Sequence, residues 1–180
     1  MTTPLTPALA GTAVIHAPVP AFVHAFARRV EGGLHLGAAP ARSRYEVTEA
    51  GPDTLRFRAD NWLTAISVGL NEVEVSAAPG RVRYHVQYKR WAGYAVALGA
   101  AIGISLIATF LIFDLRGYLQ AHRGVESLLL SDDQNVALAW GMAIFWGFAW
   151  PWILIALYKR PLRRMMEALI ADVDATASRP

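Results

Sequence analysis

Two stretches of this chain run uncharged for longer than a bilayer is thick. Residues Trp91 to Phe113 and Val136 to Tyr158 contain no Asp, Glu, Lys or Arg and are dominated by Ala, Ile, Leu, Phe and Gly. A helical run of this length rises about 34 Å, against about 30 Å for a hydrocarbon core. Each run is flanked by basic and aromatic residues, which the core helix of a soluble domain would not require. The sequence therefore predicts two transmembrane helices, and the rest of the chain must fit around them. Residues 1–90 form an N-terminal soluble domain, 114–135 a connecting loop, and 159–180 a basic tail.

The charged share of 17% averages two different solvents. Nearly all ionisable residues lie outside the two runs, and the basic ones gather at their ends. Lys89 and Arg90 precede the first run; Lys159, Arg160, Arg163 and Arg164 follow the second. The connecting stretch has Arg116 and Arg123 against Asp114, Glu126, Asp132 and Asp133. Short flanks rich in Lys and Arg stay cytoplasmic, so both termini are expected in the cytoplasm and the loop outside, in a cell membrane. The first residues lack a basic start and are broken by Pro4, Pro7, Pro18 and Pro20, unlike a secretory leader. The six basic residues with Trp91 are candidate contacts to lipid headgroups, which attract cations near the surface. The net charge of +3 and this placement point to lipid rather than nucleic acid.

Neither run carries an interior ionisable residue, and such residues mark proton relays and ion paths. A pump or channel acting alone is therefore not expected. Small residues recur at spacing four: Gly99 and Gly103 in the first run, Ala139, Ala143 and Gly147 in the second. Faces of this kind let helix backbones approach closely. They are candidate helix-packing residues, either between the two runs or in a homodimer or larger membrane complex. Pro151 predicts a kink.

The soluble domain reads as α+β, an antiparallel sheet with an amphipathic helix. A strand is expected at 12–17. A helix at 21–31 places Phe22, Val23, Phe26 and Val30 on one face. Alternating segments follow at 44–48, 54–58, 72–75 and 81–89. In the last, Val82, Tyr84, Val86 and Tyr88 alternate with Arg81, Arg83, His85, Gln87 and Lys89. Glu72 and Glu74 are expected to meet those basic residues across a hairpin. Trp62 to Leu70 fits a strand or a segment resting on the membrane surface. After Pro161, a tail helix carries Leu162, Met165, Met166, Leu169, Ile170 and Val173 at helical spacing. That stripe could cover the sheet, lie on lipid or form a partner face.

No cysteine is present, and with none there is no disulfide or thiolate chemistry. The histidines, His16, His24, His35, His85 and His122, are not spaced as a helical metal site, and no Walker, dinucleotide or nucleophile-elbow motif occurs. Asp132-Asp133 reads as a solvated pair. No cofactor is implied. The expected function is a membrane-anchored accessory or scaffold module binding proteins or lipids. The alternatives are a small membrane enzyme or lipid-handling protein with a pocket in its soluble domain, and a subunit of an oligomeric transport assembly.

Overall fold

The computed structural model describes residues 5–34, 44–121 and 131–179. His35, His122, Arg123 and Val125 to Leu130 of the expected outer loop lie outside the described residues. The chain divides into two compact units. One combines everything up to Gly93 with everything from Ile155 onward; the other is Tyr94–Leu154.

The first unit is built on a five-stranded antiparallel sheet. Its strands are β1 (Ala8–Val14), β2 (Tyr45–Ala50), β3 (Thr54–Ala59), β4 (Glu72–Ala78) and β5 (Arg81–Gln87). Their order is β1-β5-β4-β3-β2. Side chains alternate as the sequence implies: Val82, Tyr84, Val86 and the following Tyr88 are all buried, as are Leu55, Phe57, Val73 and Val75. Fully burying side chains of this size stabilises a fold by about 1.5–3 kcal/mol each. A two-residue turn at Pro79-Gly80, with Gly80 at φ +77°, sets the β4–β5 register. That register bears out one expectation only in part. Glu72 and Glu74 stand opposite Gln87 and His85, and it is Arg56 on β3 that pairs with Glu74, at 3.0 Å.

Helix α1 (Val19–Glu31) covers the buried face of the sheet, with Phe26 lying 5.9 Å from Phe57 between ring centres. It begins two residues before the expected start because Pro20 falls in the first turn, where a missing N–H costs nothing. Strand β1 lies upstream of the expected 12–17. The Ala-Leu-Ala-Gly start of β1 is poor in strand-favouring residues, but Tyr84 of β5 lies directly over Gly11, where any Cβ would meet its ring. Smallness at Gly11 is what seats β1 beside β5.

Residues 62–68 do not form a strand, the first of the two expected alternatives, but a short helix, α2 (Trp62–Val68). Asn61 caps its start by accepting the Thr64 N–H at 2.8 Å. Gly69, at φ +76°, ends it in the left-handed conformation that suits glycine.

Helix α3 (Lys89–Ile112) follows β5 after the single residue Tyr88. In the second unit, α4 (Leu115–Ala121) and α5 (Asp132–Ile144) take up parts of what the sequence reads as loop. Caps rather than hydropathy set these ends. Asp114 accepts the Gly117 N–H, and Ser131 with Gln134 forms a reciprocal capping box at the start of α5. Asp132 and Asp133 thus sit in a first helical turn, where the helix dipole favours acids. Asp133 also pairs with Arg116.

After α5 comes a π-helical turn, Phe145–Ala149, and then α6 (Trp150–Ala177). The turn explains how Pro151 is accommodated. A proline ring collides with the carbonyl four residues back, and opening the helix to an i to i+5 bond, Trp150 N–H to the Phe145 carbonyl, gives it room. The tail helix expected after Pro161 is not a separate element: α6 runs continuously through Pro161. The stripe beyond it supplies the compensation. Leu162, Met166, Leu169, Ile170 and Val173 are all buried in the first unit, and Met165 is half-buried. The stripe read as a candidate partner face is thus buried within the chain's own first unit. Two helices are long and apolar enough to cross a membrane: Lys89–Ile112 and the continuous Asp132–Ala177.

Candidate membrane-proximal site

The residues that begin α3 and those that follow Ile155 in α6 belong to one unit and meet in an aromatic cluster. Trp91 stacks on Tyr158 with ring centres 4.1 Å apart and planes 13° from parallel. Tyr88 lies tilted against both, at 6.1 Å from Trp91 and 5.9 Å from Tyr158. Tyr88 is wholly buried. Its N–H donates to the Pro7 carbonyl at 3.0 Å and its hydroxyl to the Ile155 carbonyl at 3.1 Å. Burial pushes its phenol up to about 12, so it stays neutral as a donor. The alternation of β5 carries Tyr88 to the inner face, and the next residue is already helical. No flexible linker separates sheet from helix.

Helix α2 is bound into the same cluster. The Tyr158 hydroxyl donates to the Val68 carbonyl at 2.8 Å. A Cβ on Gly69 would stand 2.7 Å from the Tyr158 ring, so Gly69 answers both a positive φ and a close approach. Asn71 is buried and uses its whole amide. Its Oδ1 accepts the Arg90 N–H at 2.6 Å, and its Nδ2 donates to the Ala65 carbonyl at 2.8 Å. The Arg90 N–H is one of the first donors of α3, which have no partner within the helix itself. Asn71 therefore caps α3 from outside while holding α2.

Around this cluster lies the basic rim. Lys89, Arg90, Arg160, Arg163 and Arg164 are exposed, and Lys159 is half-buried. Burial lowers the Lys159 ammonium from its ordinary value. Lys159, Arg160, Arg163 and Arg164, with Ala156 and Glu167, line a groove of about 470 Å³ on α6. Their spacing puts four cations on one side of the helix, beside the buried stripe. Such a groove can hold anionic oxygens. Of the residues singled out from sequence, Trp91 is half-buried and engaged with Tyr158. Asn71 and Gly69 escape a sequence reading based on periodicity alone. The pattern Asn61, seven residues, Gly69 was a helix start and stop signal hidden by the apolar run.

The other predicted residues occupy different places. Within Tyr94–Leu154, Gly99 and Gly103 face Gly147: a Cβ on Gly103 would stand 2.7 Å from the Gly147 Cα, and one on Gly99 would stand 2.9 Å from the Gly147 carbonyl oxygen. Ala143 is buried and Ala139 half-buried. On the open face of the sheet, Arg56 bridges Glu49 and Glu74, and Arg58 holds Glu46 at 2.8 Å. Two shallow depressions there, of about 340 and 510 Å³, include Glu74 and His85 in both linings.

These features define an α+β unit continuous with two helices of membrane-spanning length and hydropathy. Comparison with protein-family models, with curated proteins and with solved structures finds no match for the chain.

Proposed function

We propose that this chain is a two-pass membrane protein whose cytoplasmic domain is clamped to the bilayer and binds anionic lipid headgroups, as a non-enzymatic accessory or scaffold module. One observation carries the reading: the segments before the first apolar helix and after the second fold into a single unit. They share one β-sheet cover, so they must share one side of a membrane. The six basic residues at the junction supply attraction of roughly 1 kcal/mol each to an anionic surface. The excess of Lys and Arg over the connecting stretch supports a cytoplasmic side for that unit. The stripe on α6 is spent on the sheet, which leaves lipid the favoured ligand over a protein docked there. A protein partner fits better on the open sheet face, where alternating charges and both depressions are solvent-exposed.

Two measurements test this. The full chain in gentle detergent, offered phosphatidylglycerol and phosphatidylcholine together, is expected to retain the anionic lipid in native mass spectrometry. Changing Lys159, Arg160, Arg163 and Arg164 together to Gln should abolish that preference; an unchanged preference removes the groove from the proposal. For orientation, the absence of native cysteines makes single-cysteine labelling clean. Tyr118→Cys should react with an impermeant maleimide in intact cells, and Thr48→Cys only after permeabilisation. The reverse pattern would invert the topology.

A further inference from the structure

Helix α2 presents an apolar face that no described residue of its unit covers. Trp62 is 54% and Leu63 71% exposed, and Ile66, on the same side at helical spacing, is half-buried. Thr64 and Ala65 on the opposite side are buried, so the helix is firmly seated with its apolar side outward. A tryptophan and a leucine left in water on a seven-residue helix are costly unless something takes them up.

The position of α2 says what that is. Two separate hydrogen bonds hold its backbone: Tyr158 Oη at Val68, and Asn71 at Ala65. Tyr158 ends one apolar run, and Asn71 also binds the Arg90 N–H at the start of the other. Helix α2 is thus fastened at the level where both apolar helices leave the hydrocarbon. Seven helical residues span about 10 Å, and the polar layer of each leaflet is about 5–8 Å deep. The exposed residues therefore remain within reach of the headgroup boundary. That boundary suits an indole and a leucine, and the cations of Lys89 and Arg90 lie next to the second tether.

We propose that α2 is an interfacial helix, which sinks Trp62, Leu63 and Ile66 into the boundary between headgroups and acyl chains. It would form a third membrane contact, fixing the tilt of the sheet above the bilayer. The occupant of this face is the lipid surface itself. The inference rests on the reading of α3 and α6 as membrane-spanning, and the test separates the two.

The full chain with a single cysteine at Leu63, labelled with an environment-sensitive fluorophore, is reconstituted into phosphatidylcholine–phosphatidylglycerol vesicles. The same label is placed at Leu106 within α3 and at Thr12 on the open sheet face. The expected result is blue-shifted emission at 63 with strong quenching by lipids brominated near the headgroup, while Thr12 is quenched by aqueous iodide alone. Iodide quenching at 63 equal to that at 12, with Leu106 still quenched by lipid, overturns the interfacial helix and leaves the spans intact. Failure of lipid quenching at Leu106 overturns the membrane reading and this inference with it. A label at 63 shielded from both quenchers would mean that a protein covers α2, and that also defeats the proposal.

Discussion

Replacing Gly147 with leucine is expected to force apart the two helix backbones that meet at this residue and to unfold the Tyr94–Leu154 unit far more readily. A Cβ at Gly147 would stand 2.5 Å from the Gly103 Cα and 3.1 Å from the Gly103 nitrogen. The obstacle is backbone, not a side chain that can rotate away. Overpacking of a tight core costs about 1–3 kcal/mol, and a branched side chain at backbone contact belongs at the top of that range or beyond it. Separation also removes the dispersion contacts that hold apolar helices together when lipid is as apolar as they are. Gly141, in the same helix region, has open space where its Cβ would go, so Gly141→Leu is the matched control. Resistance to unfolding by sodium dodecyl sulfate, followed by circular dichroism, should fall sharply for Gly147→Leu and little for Gly141→Leu. Equal behaviour of the two variants would refute the close approach. Because Gly103 and Gly147 meet within one chain, the loss should not depend on protein concentration, as it would for a dimer seam.

The second large effect is expected at Asp174, near the end of α6. It is 8% exposed, and its carboxylate accepts four hydrogen bonds from one place. The backbone N–H of His16 donates to both oxygens at 2.9 and 3.0 Å, that of Ala17 donates at 2.8 Å, and the His16 ring Nδ1 lies 3.0 Å from Oδ2. The carboxylate thereby fastens the end of the chain to the crossing from β1 into α1. Residues 15–17 leave the sheet because their partner strand stops: Val14 pairs with Arg81, the first residue of β5, and the Ile15 N–H already reaches the Gly80 carbonyl in the turn. Asp174→Ala strands two amide donors, one of them buried, and should cost about 2–4 kcal/mol. Asp174→Asn keeps one acceptor oxygen and should recover part of the loss. If both variants melt with the parent protein, the latch has no role in stability.

The same carboxylate sets an acid limit. Burial pushes its pKa up, but the Ala17 N–H, the His16 ring and the His16 N–H together outweigh burial and hold it below the ordinary 3.8. A group depressed on folding stabilises the native state fully above its unfolded pKa, and that contribution disappears as pH falls through the folded value. The parent protein should therefore lose stability below about pH 4 more steeply than Asp174→Asn, with the two curves converging at the acid end.

Much of this architecture was legible from local pattern. The period-two alternation of residues 82–88 and the helical stripe of residues 162–173 fix which side chains turn inward. Burial of one face is a local demand that each element states for itself. The charge-free runs announce their length and hydropathy in the same way. The basic rim was also visible, because like charges on adjacent turns need no tertiary information to be counted.

Other features needed the assembled chain. Whether the α6 stripe meets lipid, a partner or the sheet depends on what lies 150 residues earlier in the sequence. Asp174 among its helical neighbours is an ordinary acid until His16 and Ala17 arrive. Asn71 looks like a turn residue until the start of α3 and the end of α2 are both beside it. The two membrane-length helices follow from sequence by themselves, since hydropathy and length are properties of a continuous segment. That the chain on both sides of them closes into one domain was decided only by tertiary structure, because the two sides are separated by the entire apolar hairpin and recognise each other through packing and long-range hydrogen bonds such as the Asp174 latch.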